Sequence, residues 1–291
     1  MKTAELTLQD ERELKEAFSQ IDTLLSEYSF ANLYLFRDKH DYQLLHFDDF
    51  LFVTGKTYSG DSYIMPTVDL NDEESVEYLA KLKSLAQNYD MIFPIPENWL
   101  HHFPSDEYSY NYEDEDSDYL YTVEKLATFP GRHLHGKRNL LKQFHTHYNG
   151  RVEKLTSDNI ETALYLLEKW QTDSGFARSD TDFNACLEAI TRFESLELDG
   201  TIYYIDETPV GFTLCEKTTA NDYVIHFAKG KREIKGLYQF MFSTIATANI
   251  DNIKYINMEQ DLGQESLRTS KRSYRPDVMG HKYRVKSLIQ R

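Results

Sequence analysis

Cysteine is scarce: only Cys186 and Cys215 occur in 291 residues, and no CxxC or Cys/His ligand spacing surrounds either. That excludes a disulfide scaffold or a zinc ribbon and leaves buried free thiols as the reading, with no metal expected. Long apolar runs are missing too. The tightest cluster is Phe50-Leu51-Phe52-Val53, far short of the ~20 residues that cross a bilayer. The start, MKTAELTLQDERELKE, turns acidic at once and holds no apolar stretch, so it does not read as a secretory signal. Low-complexity tracts and short-period repeats are absent as well. The expected compartment is therefore the cytoplasm.

What is present is a globular composition, 41% hydrophobic and 14% aromatic, with 21 Tyr and 17 Phe. The net charge of −16 is unevenly spread. Residues 1–130 carry 9 Lys+Arg and 27 Asp+Glu, a net of −18, and residues 131–291 carry the remaining 23 and 21, a net of +2. The densest acidic stretch, Asp106 to Asp118, reads as a solvated loop with Tyr108, Tyr110 and Tyr112 beside it. Basic residues gather in two places. One is Arg132, Lys137, Arg138 and Lys142, interleaved with His133, His135, His145 and His147. The other is Arg268, Lys271, Arg272, Arg275, Lys282, Arg284 and Lys286. Two local basic clusters on an acidic chain suit a phosphate-bearing ligand better than general nucleic-acid coating.

The length predicts two domains, placed at 1–148 and 149–291, in an α/β fold of the α+β sandwich type. In the first, helices over Asp10–Ile21 and Ser29–Tyr34 precede strands at Gln43–Phe47, Phe50–Thr54 and Ser62–Met65. A helix over Glu73–Asn88 and a buried strand at Met91–Pro94 follow, and a basic helix over Arg132–Tyr148 joins the halves. In the second, a strand at Arg151–Leu155 leads to the clearest helix, Asp158–Trp170, where Asp158 and Glu161 have the spacing of a capping box. After a helix over Asp182–Glu194 come a hairpin (Thr201–Ile205 and Val210–Cys215), a strand at Asp222–Ala228 and a helix opening at Gly236. A strand at Ile253–Met258, a short helix at Gln264–Arg272 and a closing strand at Lys282–Leu288 complete the half.

That element order is the order of a GNAT (acyl-CoA N-acyltransferase-like) domain, in which the loop after the third core strand receives the donor's phosphates. Here the loop holds Lys229, Gly230, Lys231, Arg232, Lys235 and Gly236. Exposed amides at a helix N-terminus bind anions, glycines allow close approach, and four cations add charge-assisted bonds. Glu259 and Asp261 alternate at a strand end and read as leaving the sheet on one side, with Glu259 as general base or as a clamp for an acceptor ammonium. His226 lies within a strand, where it is a packed core histidine or a base. Arg268 and Lys271, three apart on a helix, face a ligand or pair with Asp261. Tyr274, a neutral phenol at pH 7, is the candidate proton donor. Lys137 and Arg138 reach the donor from the domain boundary.

The residues Asp118-Tyr119-Leu120-Tyr121, Leu126–Arg132 and Lys137-Arg138-Asn139 resemble the opening signature of the phosphatidylglycerol lysyltransferase C-terminal domain family. The resemblance resumes at His226–Lys229 and Lys235–Gln239, and is strongest over Asn257–Gly263, Leu267-Arg268, Lys271, Ser273–Pro276 and Lys282-Tyr283. It departs at Ala228, where many relatives have glutamate. The family implies tandem GNAT-like domains, related to Fem-type peptidyltransferases, and an acyl or aminoacyl transfer. Acyl-CoA and aminoacyl-tRNA both stand as donor cosubstrates, with no covalently bound cofactor. The acceptor is a small molecule, a peptide or a lipid headgroup, with Asn257, Asp261, Arg268 and Lys271 on the substrate side. The competing reading is a non-catalytic module that senses an acyl-CoA or related ligand.

Overall fold

The computed structural model describes residues 2–288. In chain order the elements are β1 (Lys2–Glu5), α1 (Glu11–Phe18), α2 (Phe30–His40), β2 (Gln43–Phe47), β3 (Phe50–Lys56), β4 (Ser62–Pro66), α3 (Val76–Leu85), β5 (Met91–Ile95) and β6 (Tyr108–Tyr112). Next come β7 (Asp118–Thr122), α4 (Val123–Thr128), α5 (His135–His147), β8 (Gly150–Lys154), α6 (Ile160–Ser174), α7 (Phe183–Thr191), β9 (Asp199–Ile205), β10 (Thr208–Lys217), β11 (Asp222–Gly230), α8 (Leu237–Asn249) and β12 (Tyr255–Asn257). The chain closes with α9 (Glu265–Arg272), β13 (Val278–Gly280) and β14 (Tyr283–Ser287). Local chemistry sets several of these ends. The Ser29 hydroxyl accepts from the Asn32 amide to open α2, and left-handed residues stop α2 at Asp41 and α6 at Gly175. The expected capping box at α6 does not form. Asn159 is the N-cap, and its side chain serves the preceding turn by accepting from the Thr156 amide and donating to Lys154 O.

The chain forms two compact units. One comprises Met1–Asp118, Gln260–Glu265 and Met279–Arg291, the other Tyr119–Glu259 and Ser266–Val278. This division differs from the boundary expected at 148/149. Strand β7 pairs antiparallel with β12 (Tyr255↔Thr122, Ile256↔Tyr121, Asn257↔Leu120), so the second unit begins at Tyr119 rather than at 149. The closing strand also changes sides: β14 inserts between β5 and β6 in the first unit's sheet, whose order is β1-β2-β3-β4-β5-β14-β6. In the same stroke the C-terminal basic cluster is divided. Lys282 is fully buried in the first unit between Glu27 and Asp118, each 2.7 Å away, and Arg284 pairs with Asp116 and Glu113. The acidic stretch 106–118, read as a loop, contains β6.

In the first unit, Phe52, Ile64, Leu82 and Trp99 are fully buried and make the floor between sheet and helices. The second sheet has the order β13-β7-β12-β11-β10-β9-β8. There Phe144 of α5, Tyr203 of β9, Val210 of β10 and Leu237, Phe240 and Met241 of α8 form one buried cluster, with the Phe144 and Phe240 rings stacked at 4.4 Å. That cluster fixes α5 and α8 to the sheet and thereby sets where the loop into α8 opens.

Candidate functional site

In the second unit, β11 and β12 run parallel but pair only over Asp222↔Tyr255, Tyr223↔Ile256 and Val224↔Asn257. Strand β12 stops there, while β11 continues to Gly230. Past Val224 that side of β11 therefore presents a backbone edge with no partner from β12. On its other side the register against β10 slips. Leu214 faces Phe227 and Cys215 faces Ile225, so His226 opposes no residue. A bulge of this kind re-aims a side chain.

The bulged His226 is enclosed, its side chain fully buried between two carboxylates. Its Nδ1 lies 2.9 Å from Glu259 Oε1 and its Nε2 3.0 Å from Glu216 Oε2. Burial acts first on the ring and lowers its pKa, but the two carboxylate bonds outweigh it and raise it from 6.5 to about 10. The ring is thus an imidazolium at neutral pH, the opposite of what a base needs. With both nitrogens donating, it has no lone pair for a metal. Among the described residues no cluster of three His, Cys, Asp or Glu side chains is arranged to hold a metal ion. Glu259 itself sits in a left-handed conformation (φ 57°) just past β12. Its amide donates to Asn257 Oδ1 (2.7 Å), and its carbonyl accepts from Lys271 Nζ (3.2 Å) and the Tyr119 amide (3.3 Å). These bonds over-determine the strained turn. Its carboxylate keeps 14% exposure.

A second group lies at the first turn of α8. Gln239 Nε2 donates to the Tyr274 hydroxyl at 2.5 Å, and the Tyr274 ring packs among Tyr121, Phe129 and Phe242. Lys137 Nζ sits 3.8 Å from the centroid of that ring. Burial holds the phenol above its ordinary value, and burial lowers the Lys137 ammonium from its own.

Around the loop, the structure sorts the expected residues. Lys229 points away to other work: its Nζ bonds both oxygens of Asp182 (2.6 and 2.7 Å) and lies 3.7 Å over the Trp170 ring. The Gly230 amide donates to the Tyr238 hydroxyl and the Lys231 amide to Val210 O. Arg232 and Lys235 are exposed and Lys231 is half-buried. Gly236, at φ 86°, caps α8, and a Cβ there would stand 2.3 Å from Leu140 O. Arg138 donates to Phe129 O and Gly131 O, closing the end of α4, rather than facing a donor.

The expected alternation of Glu259 and Asp261 fails because β12 has already ended at Asn257 and the backbone turns left-handed at Glu259, Leu262 and Gly263. Asp261 belongs to the first unit, where it is buried and accepts from the Gly263 amide. Arg268 is half-buried on α9, three residues before Lys271. The structure therefore joins His226, Glu259, Asn257 and Lys271 in one place and Lys137 with Tyr274 in another. Sequence reasoning missed Glu216, Gln239 and Asp182. For Glu216 the signal was present: β10 runs two residues beyond the expected end at Cys215, which puts a buried carboxylate on a core strand.

A mixed sheet whose parallel pair parts where β12 ends and β11 runs on, with a basic loop leading into the following helix, has the GNAT-like fold, and the chain holds two α/β units in tandem. The sequence profile described as phosphatidylglycerol lysyltransferase, C-terminal, matches residues 18–286, and the chain belongs to that family. A conserved protein of unknown function from Bacteroides thetaiotaomicron superposes with a TM-score of 0.85 at 24% identity, covering 99% of this chain and all of that one. L-PGS from Bacillus licheniformis gives a TM-score of 0.66 at 14% identity over 99% and 94% of the two chains. FemX gives 0.64 at 10% identity over 99% and 98%. At these identities the likeness is one of fold. An uncharacterized protein of Mycoplasmoides gallisepticum is 26% identical over 183 residues, which span 60% of this chain and 58% of that relative. Among the described residues no helix is long and apolar enough to cross a membrane.

Proposed function

We propose that the second unit transfers an acyl or aminoacyl group from a phosphate-bearing donor to an amine or hydroxyl acceptor. The observation that carries this reading is the divergence of β11 from β12 beside the Glu216–His226–Glu259 trio. The donor's carbonyl lies along β11 past Val224, where β12 no longer pairs with it, and backbone amides there bond the tetrahedral oxyanion. The acceptor's nitrogen or oxygen attacks the carbonyl carbon, and its proton passes to Glu259. The bond to the donor's sulfur or oxygen then breaks, and the leaving group takes up a proton. His226 is a positioning residue that aims Glu259.

The donor's phosphates are met by Lys231, Arg232 and Lys235, by the first turn of α8, and by Lys137 held on the Tyr274 face. Tyr274, only 2% exposed, acts through Lys137 rather than on the leaving group. The family description, lysyl transfer to phosphatidylglycerol, favours an aminoacyl-tRNA donor over acyl-CoA. A thermal-shift comparison of acetyl-CoA, free CoA, charged tRNA and uncharged tRNA tests this. Donor at 100 times its Kd adds about 2.7 kcal/mol of stability. Glu259→Gln keeps that shift and loses turnover. Absence of a shift with both donor classes sinks the proposal, and a shift in a protein that turns over no acceptor makes the chain a sensor.

A further inference from the structure

Strand β6 ends the first unit's sheet, and among the described residues only its inner side is paired, to β14. Its sequence is Tyr108-Ser109-Tyr110-Asn111-Tyr112. All five residues are uncharged, and from Ser109 onward every one is exposed. Sheet edges of this kind are ordinarily blunted by a lysine, a proline, a bulge or a covering segment, because an open β-prone edge recruits another strand. The opposite edge of the same sheet follows that rule, since β1 (Lys-Thr-Ala-Glu) carries a charge at each end. Strand β6 does not.

Two further features select what pairs with it. Acidic residues flank the strand on both sides, Asp106 and Glu107 before it and Glu113 to Asp116 after it. Arg284 draws in Asp116 and Glu113, while Asp106, Glu107, Asp114 and Glu115 are exposed. A second copy docking antiparallel would set Asp106 and Glu107 against the Glu113–Asp116 run, and a parallel copy would set like against like. Both arrangements are repulsive. The second feature is the aromatic face. Tyr110 and Tyr112, 42% and 38% exposed, are braced edge-on by Tyr283, and Tyr112 stacks on His281 at 4.0 Å. Rigid exposed tyrosines of this sort receive lysine and arginine side chains on their faces.

We infer that the outer edge of β6 is a docking site for an extended segment of a partner protein that carries basic residues on both sides of a β-prone core. The backbone edge supplies affinity by strand addition, and the acidic flanks with Tyr110 and Tyr112 supply selectivity. The inference does not depend on the transfer reaction, because every residue in it lies in the first unit.

The test titrates the full chain into a fluorescein-labelled peptide with a five-residue alternating Thr/Val core and two arginines at each end, read by anisotropy. Saturable binding is expected, weakening as salt rises from about 50 to about 500 mM. The same peptide N-methylated at alternate core amides, and one with glutamates for arginines, are each expected to bind at least about tenfold more weakly. These comparisons leave the protein untouched. Asp106→Lys with Glu107→Lys, both on exposed side chains, is expected to weaken the arginine peptide roughly tenfold. Equal binding of the N-methylated peptide would show charge attraction without strand pairing and overturn the inference. So would failure to saturate below ~1 mM. A wild-type dimer in sedimentation velocity that Tyr110→Lys abolishes would give the edge to a second copy and overturn it as well.

Discussion

Raising the pH from 6 to 10 is the sharpest perturbation of the Glu216–His226–Glu259 trio. The His226 ring is fully buried, and its two carboxylate partners hold its pKa at about 10 against an ordinary 6.5. The folded state thus holds this proton more tightly than the unfolded chain does. The resulting stabilisation is complete below pH 6.5, declines as the pH rises through the interval, and is gone above 10. Over the whole interval it amounts to at most about 5 kcal/mol, with a slope near 1.4 kcal/mol per pH unit. The assay is a long-range ¹H–¹⁵N spectrum of histidine-labelled protein, with His226→Asn identifying the signal among the ten histidines. Both ring nitrogens of His226 should keep imidazolium shifts at pH 8.5. In Glu216→Gln the ring loses one of the two bonds that raise it, so its midpoint should fall. A neutral tautomer at pH 7.5, or a midpoint unchanged in Glu216→Gln, would refute the argument and return His226 to the list of possible bases.

Two pairs of variants separate structural from donor-facing groups. Gly236→Ala drives a Cβ to within 2.3 Å of Leu140 O at a φ of 86°, whereas Gly131→Ala, at φ 75°, meets nothing within 4 Å. Chemical denaturation should show the first costing about 2–3 kcal/mol and the second about 1 kcal/mol. Lys229→Met removes the bidentate contact with Asp182 and should lower stability by about 1–3 kcal/mol without changing donor affinity. Lys231→Ala with Arg232→Ala should do the reverse, weakening donor binding while unfolding scarcely moves. Equal donor affinity in the loop variant and the wild type would place the phosphates elsewhere.

The strands were legible as short apolar runs bounded by turn residues, and the central ones, such as β5, β10 and β11, are buried on both faces. The runs expected at 43–47, 50–54, 62–65, 201–205 and 210–215 are strands, and all but the first extend by one to four residues. Sheet membership was not legible. Tyr283–Ser287 has the same β pattern whichever sheet it joins, and only its pairing with Ile92 and Ile95 on β5 and with Tyr108 to Tyr112 on β6 decides. The same limit applies to the site. Glu259 was readable as a carboxylate at a strand end, but its partner Glu216 lies 43 positions upstream and meets it only through the His226 bulge. Lys229 misled for a related reason. In sequence it is one more cation in Lys229–Lys235, and nothing local says that it bonds Asp182, 47 residues away.

Comparing the two units shows why the proposed donor site falls in one of them. The first unit also has a parallel pair, β4 with β5, joined over Tyr63↔Met91 and Ile64↔Ile92, and a connection from the first of these strands into a helix, α3. That connection, residues 67–75, carries Asp69, Asp72, Glu73 and Glu74 where the second unit has Lys231, Arg232 and Lys235. Its polar groups are also taken up internally. The Thr67 amide donates to the Tyr78 hydroxyl at 2.8 Å, Asp69 accepts from Trp99 Nε1 at 3.0 Å, and Asp72 accepts from the Glu74 amide. Beside the pair, the buried Tyr28 donates to Pro94 O of β5 and packs edge-on against Trp99. A phosphate brought to this loop would meet four carboxylates, so Coulombic repulsion opposes it. Topology alone therefore does not make an anion site: of the two equivalent connections, the second unit's carries the cations that the proposed donor site requires, and the first unit's carries carboxylates that oppose it.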